Sequence, residues 1–359
     1  MVSAVYVHNL DPFLIEFGNG IGLRWYGLSY VMGFLAAYWL LQWLIRRGAT
    51  PLEAPKVGDL VLAVAVGTVV GGRVGYCLFY QQELLIRFDS APPFWGLLMI
   101  NEGGMASHGG MIGIAAACIW FARKHGLRPL HVLDLAVVTG PIGVFFGRLA
   151  NFINGELFGR PCDPELPWSV KFPQEVALWG SPEHPKHHVY LEAKQMILFD
   201  TESTAGGCSP DTGWAGRIVE AARNNSELLN LIEPHLMARH PSQIYQALLE
   251  GALVFAFLIL MWRKPRKPGL LGCWFLIGYA AMRIVGEQFR MPDAHIGYQW
   301  LQLTRGQWLS FGMVAAGLVL WAVVARRGDR PMGGWGRISS SQTASSDPDP
   351  ERPDQGANP

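Results

Sequence analysis

The chain has 359 residues, 50% of them hydrophobic and only 16% charged, with 14 tryptophans and a formal net charge of +1. Soluble proteins carry about 25% charged residues, so this composition excludes an ordinary water-soluble enzyme, and no nucleic acid is expected as a partner. The apolar residues come in long blocks and not in amphipathic periods, which is the pattern of membrane spans.

Crossing about 30 Å of hydrocarbon takes roughly 20 mostly apolar residues. Seven segments meet or approach this: 25–45, 58–80, 105–122, 131–150, 242–262, 270–289 and 307–325. The expected fold is therefore an all-α polytopic membrane protein with seven transmembrane helices. The first block has no basic region ahead of it and is too long for a cleaved signal peptide, so it stays as a helix.

Basic residues alternate sides along this series. Arg46, Arg47 and Lys56 follow the first block, Arg123, Lys124 and Arg128 the third, Arg263, Lys264, Arg266 and Lys267 the fifth, and Arg326, Arg327 and Arg330 the seventh. Basic loops stay cytoplasmic, which puts the N-terminus outside and the C-terminus inside. The membrane domain covers 1–327. A polar, proline-rich insert at 157–240, between blocks four and five, is expected to form a small external head. The tail 328–359 has almost no apolar residues and is expected to be disordered in the cytoplasm.

This topology assigns each intramembrane polar residue a depth. Arg24 and Tyr26 fall at the outer end of the first block, His108 at that of the third, and His240 and Gln243 at that of the fifth; Arg73, Arg148, Arg283 and Glu287 fall in the outer halves of the second, fourth and sixth. Ionisable groups are costly in lipid and mark functional sites by default, although terminal arginines also snorkel to the interface. Arg283, Glu287 and Arg290 share one helical face at i, i+4, i+7, and Arg148 and Asn151 share another at i, i+3. Several guanidiniums converging on a dry pocket suit a phosphate, so an anionic lipid headgroup is the natural ligand.

Other features have plainer explanations. Gly67, Gly71 and Gly75 repeat every four residues, a ridge that lets helices approach closely. His184, His187 and His188 lack zinc-site spacing and read as a solvated loop, so no metal and no cofactor is expected. Cys77, Cys118 and Cys273 sit inside blocks as small apolar residues. Cys162 and Cys208 share the external insert, where an oxidising compartment would permit a disulfide. A polytopic transporter of an anionic lipid or solute is the main alternative function, but no ladder of ionisable groups continues to the cytoplasmic halves and no internal repeat is visible. A receptor-like protein would need a cytoplasmic output domain, which is lacking.

The segment from Gly147 to Gly159, GRLANFINGELFG, resembles the signature of the prolipoprotein diacylglyceryl transferase family at every fixed position. Further matches are Trp25-Tyr26-Gly27-Leu28, Gly71-Gly72-Arg73-Val74-Gly75-Tyr76, Ser107-His108-Gly109-Gly110, Arg239-His240-Pro241-Ser242-Gln243-Ile244-Tyr245, Ile277-Gly278-Tyr279 and Glu287-Gln288-Phe289-Arg290-Met291-Pro292-Asp293. Together they cover about residues 10–326. The chain departs from the family's pattern in the insert between Gly159 and Arg239, and at Gln246, where an acidic residue is expected.

The resemblance implies a multi-pass enzyme of the bacterial cytoplasmic (inner) membrane. It would move the diacylglyceryl group of phosphatidylglycerol to the thiol of the lipobox cysteine in preprolipoprotein signal peptides, forming a thioether and releasing glycerol 1-phosphate before signal peptidase II acts. Arg148 and Arg283 are then expected to contact the phosphate and leaving group, and thiol deprotonation to be assisted by His108, by a deprotonated group near it, or by the surrounding arginine field alone. Asn151, Glu156, Tyr26, Arg73, Gly159, Tyr279, Glu287 and Arg290 are the expected substrate contacts.

Overall fold

The computed structural model describes residues 5–18, 21–90, 93–99, 103–199, 213–292 and 297–335. It is mostly helical, and among the described residues six helices are long and apolar enough to cross a membrane: Trp25–Arg46, Ala54–Phe79, Pro129–Ile153, Ser242–Met261, Leu270–Glu287 and Arg305–Arg326. Within them lie α1 (Trp25–Arg46), α2 (Val57–Phe79), α4 (Pro129–Ile153), α8 (Ser242–Gln246), α9 (Val254–Met261), α10 (Leu270–Glu287) and α11 (Arg305–Arg326). A π-helical segment, Ala247–Leu253, joins α8 to α9. Large apolar side chains such as Trp39, Leu62, Leu260 and Val319 stand exposed on these helices, as lipid-facing surface does.

The structure differs from the sequence expectation at the third span. Helix α3 (Ser107–Lys124) forms, but it is not among the six. Its first turn is Ser107-His108-Gly109-Gly110 and its last carries Arg123 and Lys124, which leaves an apolar stretch of about 12 residues, or some 18 Å of helix. Helix α3 instead packs closely along α2 through interlocking glycines. A Cβ on Gly67 would lie 2.6 Å from the Gly113 carbonyl oxygen, and one on Gly75 would lie 2.7 Å from the Gly109 Cα. The four-residue glycine ridge therefore sets this contact by close backbone approach.

At one end of the bundle, Leu44, Leu60, Phe121, Leu135, Leu258 and Leu271 form a shared core. Asp134 of α4 ties that end together by accepting from the backbone N–H groups of Gly269 (2.6 Å) and Gly272 (2.9 Å), the unpaired donors at the start of α10. Of the tail expected to be disordered from 328, residues 328–335 are described and carry apolar anchors; the rest lies outside the described residues. Met332 pairs with Arg266 through backbone hydrogen bonds of 2.7 and 2.9 Å, and Trp335 packs edge-on against Trp43 at 5.5 Å.

The insert has its own core. Helices α5 (His187–Phe199), α6 (Trp214–Asn224) and α7 (Ser226–Ile232) bury Trp179, Val189, Ala193, Ile218, Leu228 and Ile232. A small sheet binds it to the N-terminus: β1 (Tyr6–Val7) runs parallel to β4 (Val170–Lys171), which pairs antiparallel with β5 (Ala238–Arg239). Beside it β2 (Phe13–Gly18) and β3 (Ile21–Arg24) form a hairpin leading into α1. Buried Glu175 joins the parts by accepting from Arg239 at 2.9 Å and Lys186 at 3.2 Å. The disulfide that the sequence permits between Cys162 and Cys208 lies outside the described residues, because Cys208 does.

Candidate active site

Helices α4 and α10 each contribute one arginine to a single carboxylate. Glu250, on the π-helical segment, is fully buried at 0% exposure. It accepts from Arg148 Nη2 at 2.9 Å, from Arg283 Nη1 at 3.2 and 3.4 Å, and from the Tyr279 hydroxyl at 3.2 Å. The side chains of Arg148 and Arg283 keep 14% and 17% of their surface. The carboxylate therefore holds both guanidiniums while each arginine side chain stays partly exposed. The π turn also suits the crowding here: a Cβ on Gly251 would lie 2.7 Å from the Phe145 Cβ, so α4 passes close against it.

The charges continue beyond Glu250. Arg283 bonds Glu287 at 2.9 Å, and Glu287 also meets Arg290 at 3.4 Å and accepts from the Thr304 hydroxyl at 3.0 Å. Thr304 caps α11 with a reciprocal capping box to Gln307. Three arginines and two glutamates thus alternate through the cluster and leave one net positive charge. That arrangement can bind a single phosphate anion with paired N–H donors and oppose its charge as a bond to it breaks.

The end of α4 turns sharply into the signature loop. Gly155 takes φ +68° and Leu157 takes φ +55°, a left-handed conformation that costs a branched side chain energy. Gln243 Nε2 donates to the Glu156 carbonyl at 2.6 Å and Ser242 Oγ to the Leu157 carbonyl at 3.0 Å, which pins the loop to the start of α8. The Glu156 carboxylate then accepts from Asn151 at 3.3 Å and Asn154 at 3.2 Å. Gly159 pairs with Arg290 across a β-bridge, and its carbonyl accepts from Arg239 at 3.1 Å. A Cβ at Gly159 would lie 2.8 Å from the Phe289 carbonyl oxygen, so only glycine fits.

The structure thus brings Arg148, Tyr279, Arg283, Glu287 and Arg290 into one network and Glu156 and Gly159 into the loop after α4, where Asn151 of that helix reaches Glu156. Three other residues singled out from the sequence have surroundings of their own. Arg73 is buried at 3% exposure, and its guanidinium donates to the carbonyls of Gly96 (2.7 Å), Leu97 (2.9 Å), Met99 (2.9 Å), Gly104 (3.2 Å) and Gly103. Its donors are spent on this loop. His108 is exposed in the first turn of α3. Tyr26 opens α1, half-buried, with its ring 5.6 Å from that of Tyr30.

Glu250 was not among the residues predicted from the sequence, although the signal was present: it is a single carboxylate in the apolar run Ala247-Leu248-Leu249-Glu250-Gly251-Ala252-Leu253. Glu250 lies one turn after Gln246, the position at which the resemblance expects an acidic residue. Gln246 is itself fully buried, and neither atom of its amide has a hydrogen-bond partner among the described residues.

The family model for prolipoprotein diacylglyceryl transferase matches residues 12–323. Proteins named phosphatidylglycerol–prolipoprotein diacylglyceryl transferase are similar along nearly the whole chain. The one from Bdellovibrio bacteriovorus is 47% identical over 346 residues, covering 92% of this chain and 97% of its own. Those from Rhodospirillum rubrum and Nitrobacter hamburgensis are 37% and 36% identical, covering 91% and 89% of this chain and 96% and 90% of their own.

Proposed function

The chain belongs to the prolipoprotein diacylglyceryl transferase family, and on that premise we propose that it transfers the diacylglyceryl group of phosphatidylglycerol to the thiol of the lipobox cysteine in prolipoproteins. The observation that carries this is the convergence of Arg148 and Arg283 from two helices on one fully buried carboxylate, with both arginine side chains still partly exposed. Among apolar helices such a pair suits the phosphodiester of an anionic lipid.

In the reaction the cysteine sulfur bonds to the terminal glyceryl carbon of the diacylglyceryl unit as the bond from that carbon to the phosphate oxygen breaks. The electron pair leaves with the phosphate, and glycerol 1-phosphate is released. Arg148 and Arg283 contact the phosphate and stabilise the charge that develops on it. Glu250 acts through them as a positioning residue, with Tyr279 completing its contacts. Glu287 and Arg290 extend the charge network, and Asn151, Glu156 and Gly159 shape the acceptor side. Tyr26 contacts the headgroup, and Arg73 supports the site by holding the backbone at 96–99 and at 103–104. His108 takes the thiol proton, since the thiolate is the nucleophile.

The orientation we infer has the N-terminus and head outside and the C-terminus in the cytoplasm, with α3 as a seventh, short membrane helix against α2. The membrane is the bacterial inner membrane, and the product is the substrate that signal peptidase II then cleaves. The test is to incubate the purified protein in phosphatidylglycerol vesicles with a lipobox peptide. A diacylglyceryl thioether on the cysteine is expected. Phosphatidylglycerol moving between leaflets with no modified peptide would instead favour a transporter.

A further inference from the structure

A cavity of about 190 Å³ lies between α1, α2, α3 and α4, and its walls are almost wholly apolar. The hydroxyls of Thr68 and Thr139 are spent on the carbonyls of Val64 (2.7 Å) and Ala136 (2.9 Å) in their own helices. Tyr30 stands at the end nearest Tyr26, with the two rings 5.6 Å apart. Leu41 and Leu60, both buried in the shared core, line the opposite end. Glycines leave the space: a Cβ on Gly140 or on Gly143 would meet no packing neighbour within 4 Å. An apolar cavity of about 150 Å³ stays free of water and takes up benzene, so this larger one calls for an apolar ligand.

Two helices connect this cavity to the arginine site. On α4, Ala136, Gly140, Gly143 and Gly147 share one face at i, i+4, i+7 and i+11; the first three line the cavity, and Arg148 follows at the edge of that face. A Cβ on Gly147 would also meet no packing neighbour within 4 Å, so the face is bare from the cavity up to Arg148. On α1, Tyr26, Tyr30, Gly33 and Ala37 repeat the same spacing, and all but Tyr26 line the cavity. Gly143 and Gly140 lie five and eight residues before Arg148, about 8 and 12 Å along the helix. Half of the hydrocarbon layer is about 15 Å deep, so an acyl chain descending from a phosphate at Arg148 reaches this cavity within its own leaflet.

A narrow, dry slot at that depth fits a hydrocarbon chain and not a polypeptide. The apolar segment of a signal peptide is helical among lipid, because its backbone has to bond internally. A helix with its side chains is about 10–12 Å across, too wide for a slot of about 190 Å³. We propose that the cavity takes the far end of one acyl chain of the phosphatidylglycerol whose phosphate Arg148 and Arg283 hold, so that its depth, ended by Leu41 and Leu60, discriminates among chain lengths. The selecting force is contact. A chain already in hydrocarbon gains little by leaving lipid, but one that fills the slot gains the dispersion contacts that the slot's lining lacks. This inference rests on the transferase activity proposed above and adds a donor-chain subsite to it.

The experiment uses the full-length enzyme in phosphatidylcholine nanodiscs, with dioctanoyl or dipalmitoyl phosphatidylglycerol as donor and a lipobox peptide as acceptor. The readout is the ratio of kcat/KM for the long-chain donor to that for the short-chain donor, in which any general loss of activity cancels. Gly140→Leu and Gly143→Leu extend a side chain into the slot and should each lower this ratio about tenfold from its native value. Leu62→Ala, on α2 but 64% exposed and outside the slot, should leave the ratio native. Ratios unchanged in both leucine variants, or lowered as far in Leu62→Ala, would overturn the inference. A second measurement needs neither turnover nor a variant: phosphatidylglycerol carrying a diazirine at the methyl end of one chain should label the residues that line the slot, and excess unlabelled phosphatidylglycerol should compete. Transfer without that labelling would overturn the inference and leave the transferase assignment standing. So would labelling of the slot by a signal peptide with the diazirine in its apolar segment. Competed labelling of the slot by the lipid with no transfer to the peptide would sink the transferase assignment alone.

Discussion

Replacing Glu250 with glutamine keeps the shape of the side chain and removes the charge that holds the two arginines. In the native protein this carboxylate has no solvent exposure and accepts from Arg148 at 2.9 Å, Arg283 at 3.2 Å and Tyr279 at 3.2 Å. Removing one member of a buried ion pair costs about 3–5 kcal/mol, because the partner charge stays uncompensated. Here the arginines retain 14% and 17% exposure, so water relieves part of the cost and the lower end, about 3 kcal/mol, is expected. That loss should divide between stability and catalysis in a recognisable way. The site gains positive charge, so KM for phosphatidylglycerol should stay level or fall. The guanidiniums lose their fixed orientation, so kcat should drop by about a hundredfold, equivalent to roughly 2.7 kcal/mol. Thermal unfolding in detergent and steady-state transfer to a lipobox peptide measure the two parts. A Glu250→Gln enzyme with native kcat would show that the arginines reach their working positions without the carboxylate, and would refute its positioning role.

Arg148→Ala should abolish transfer while the protein still folds and inserts. Arg148→Lys should restore little activity, because an ammonium cannot supply the planar paired donors, and near-native turnover by the alanine variant would remove Arg148 from the mechanism. His108→Gln should lower the transfer rate most at mildly acidic to neutral pH and recover part of it as pH rises and thiolate forms unaided; an unchanged rate at neutral pH would leave the arginines as the thiol's only activators. His8 is 1% exposed, its ring 5.4 Å from that of Phe152 and 5.3 Å from that of Phe172, and burial pushes its pKa from 6.5 down to about 4. The unfolded chain therefore binds the extra proton between pH 6.5 and 4. Stability should fall as pH drops through that window, by up to about 3 kcal/mol, and His8→Asn should flatten the dependence of melting temperature on pH.

How much was legible in the sequence varied with the physics involved. Six spans followed from hydrophobic length alone. The third did not, because the polar first turn of α3 and its terminal Arg123 and Lys124 shorten its apolar stretch, and the glycine interlock with α2 holds it. Arg148 and Arg283 could be placed together because alternating basic loops gave each helix a direction and each polar residue a depth. Glu250 fell under the same cost argument but was passed over among leucines, and the π turn that aims it inward leaves no periodicity to read. Arg73 looked like an intramembrane charge available to a ligand, yet its partners are carbonyls more than 20 residues away, which no local pattern reveals. The core of the head was visible only in part: Val189, Ala193 and Ile197 repeat at helical spacing, but nothing local says that they meet Trp179 and Ile218.

The most direct test of the proposed function follows both halves of the phosphatidylglycerol molecule at once. Phosphatidylglycerol labelled in its phosphate is supplied with a lipobox peptide, and then with the same peptide carrying serine in place of the cysteine. The arginine-clamped transfer mechanism predicts labelled glycerol 1-phosphate released one-to-one with diacylglyceryl thioether on the cysteine peptide, and no release with the serine peptide. Equal release with both peptides, or release without thioether, would show that the Arg148–Glu250–Arg283 site hydrolyses lipid and does not transfer it to a thiol.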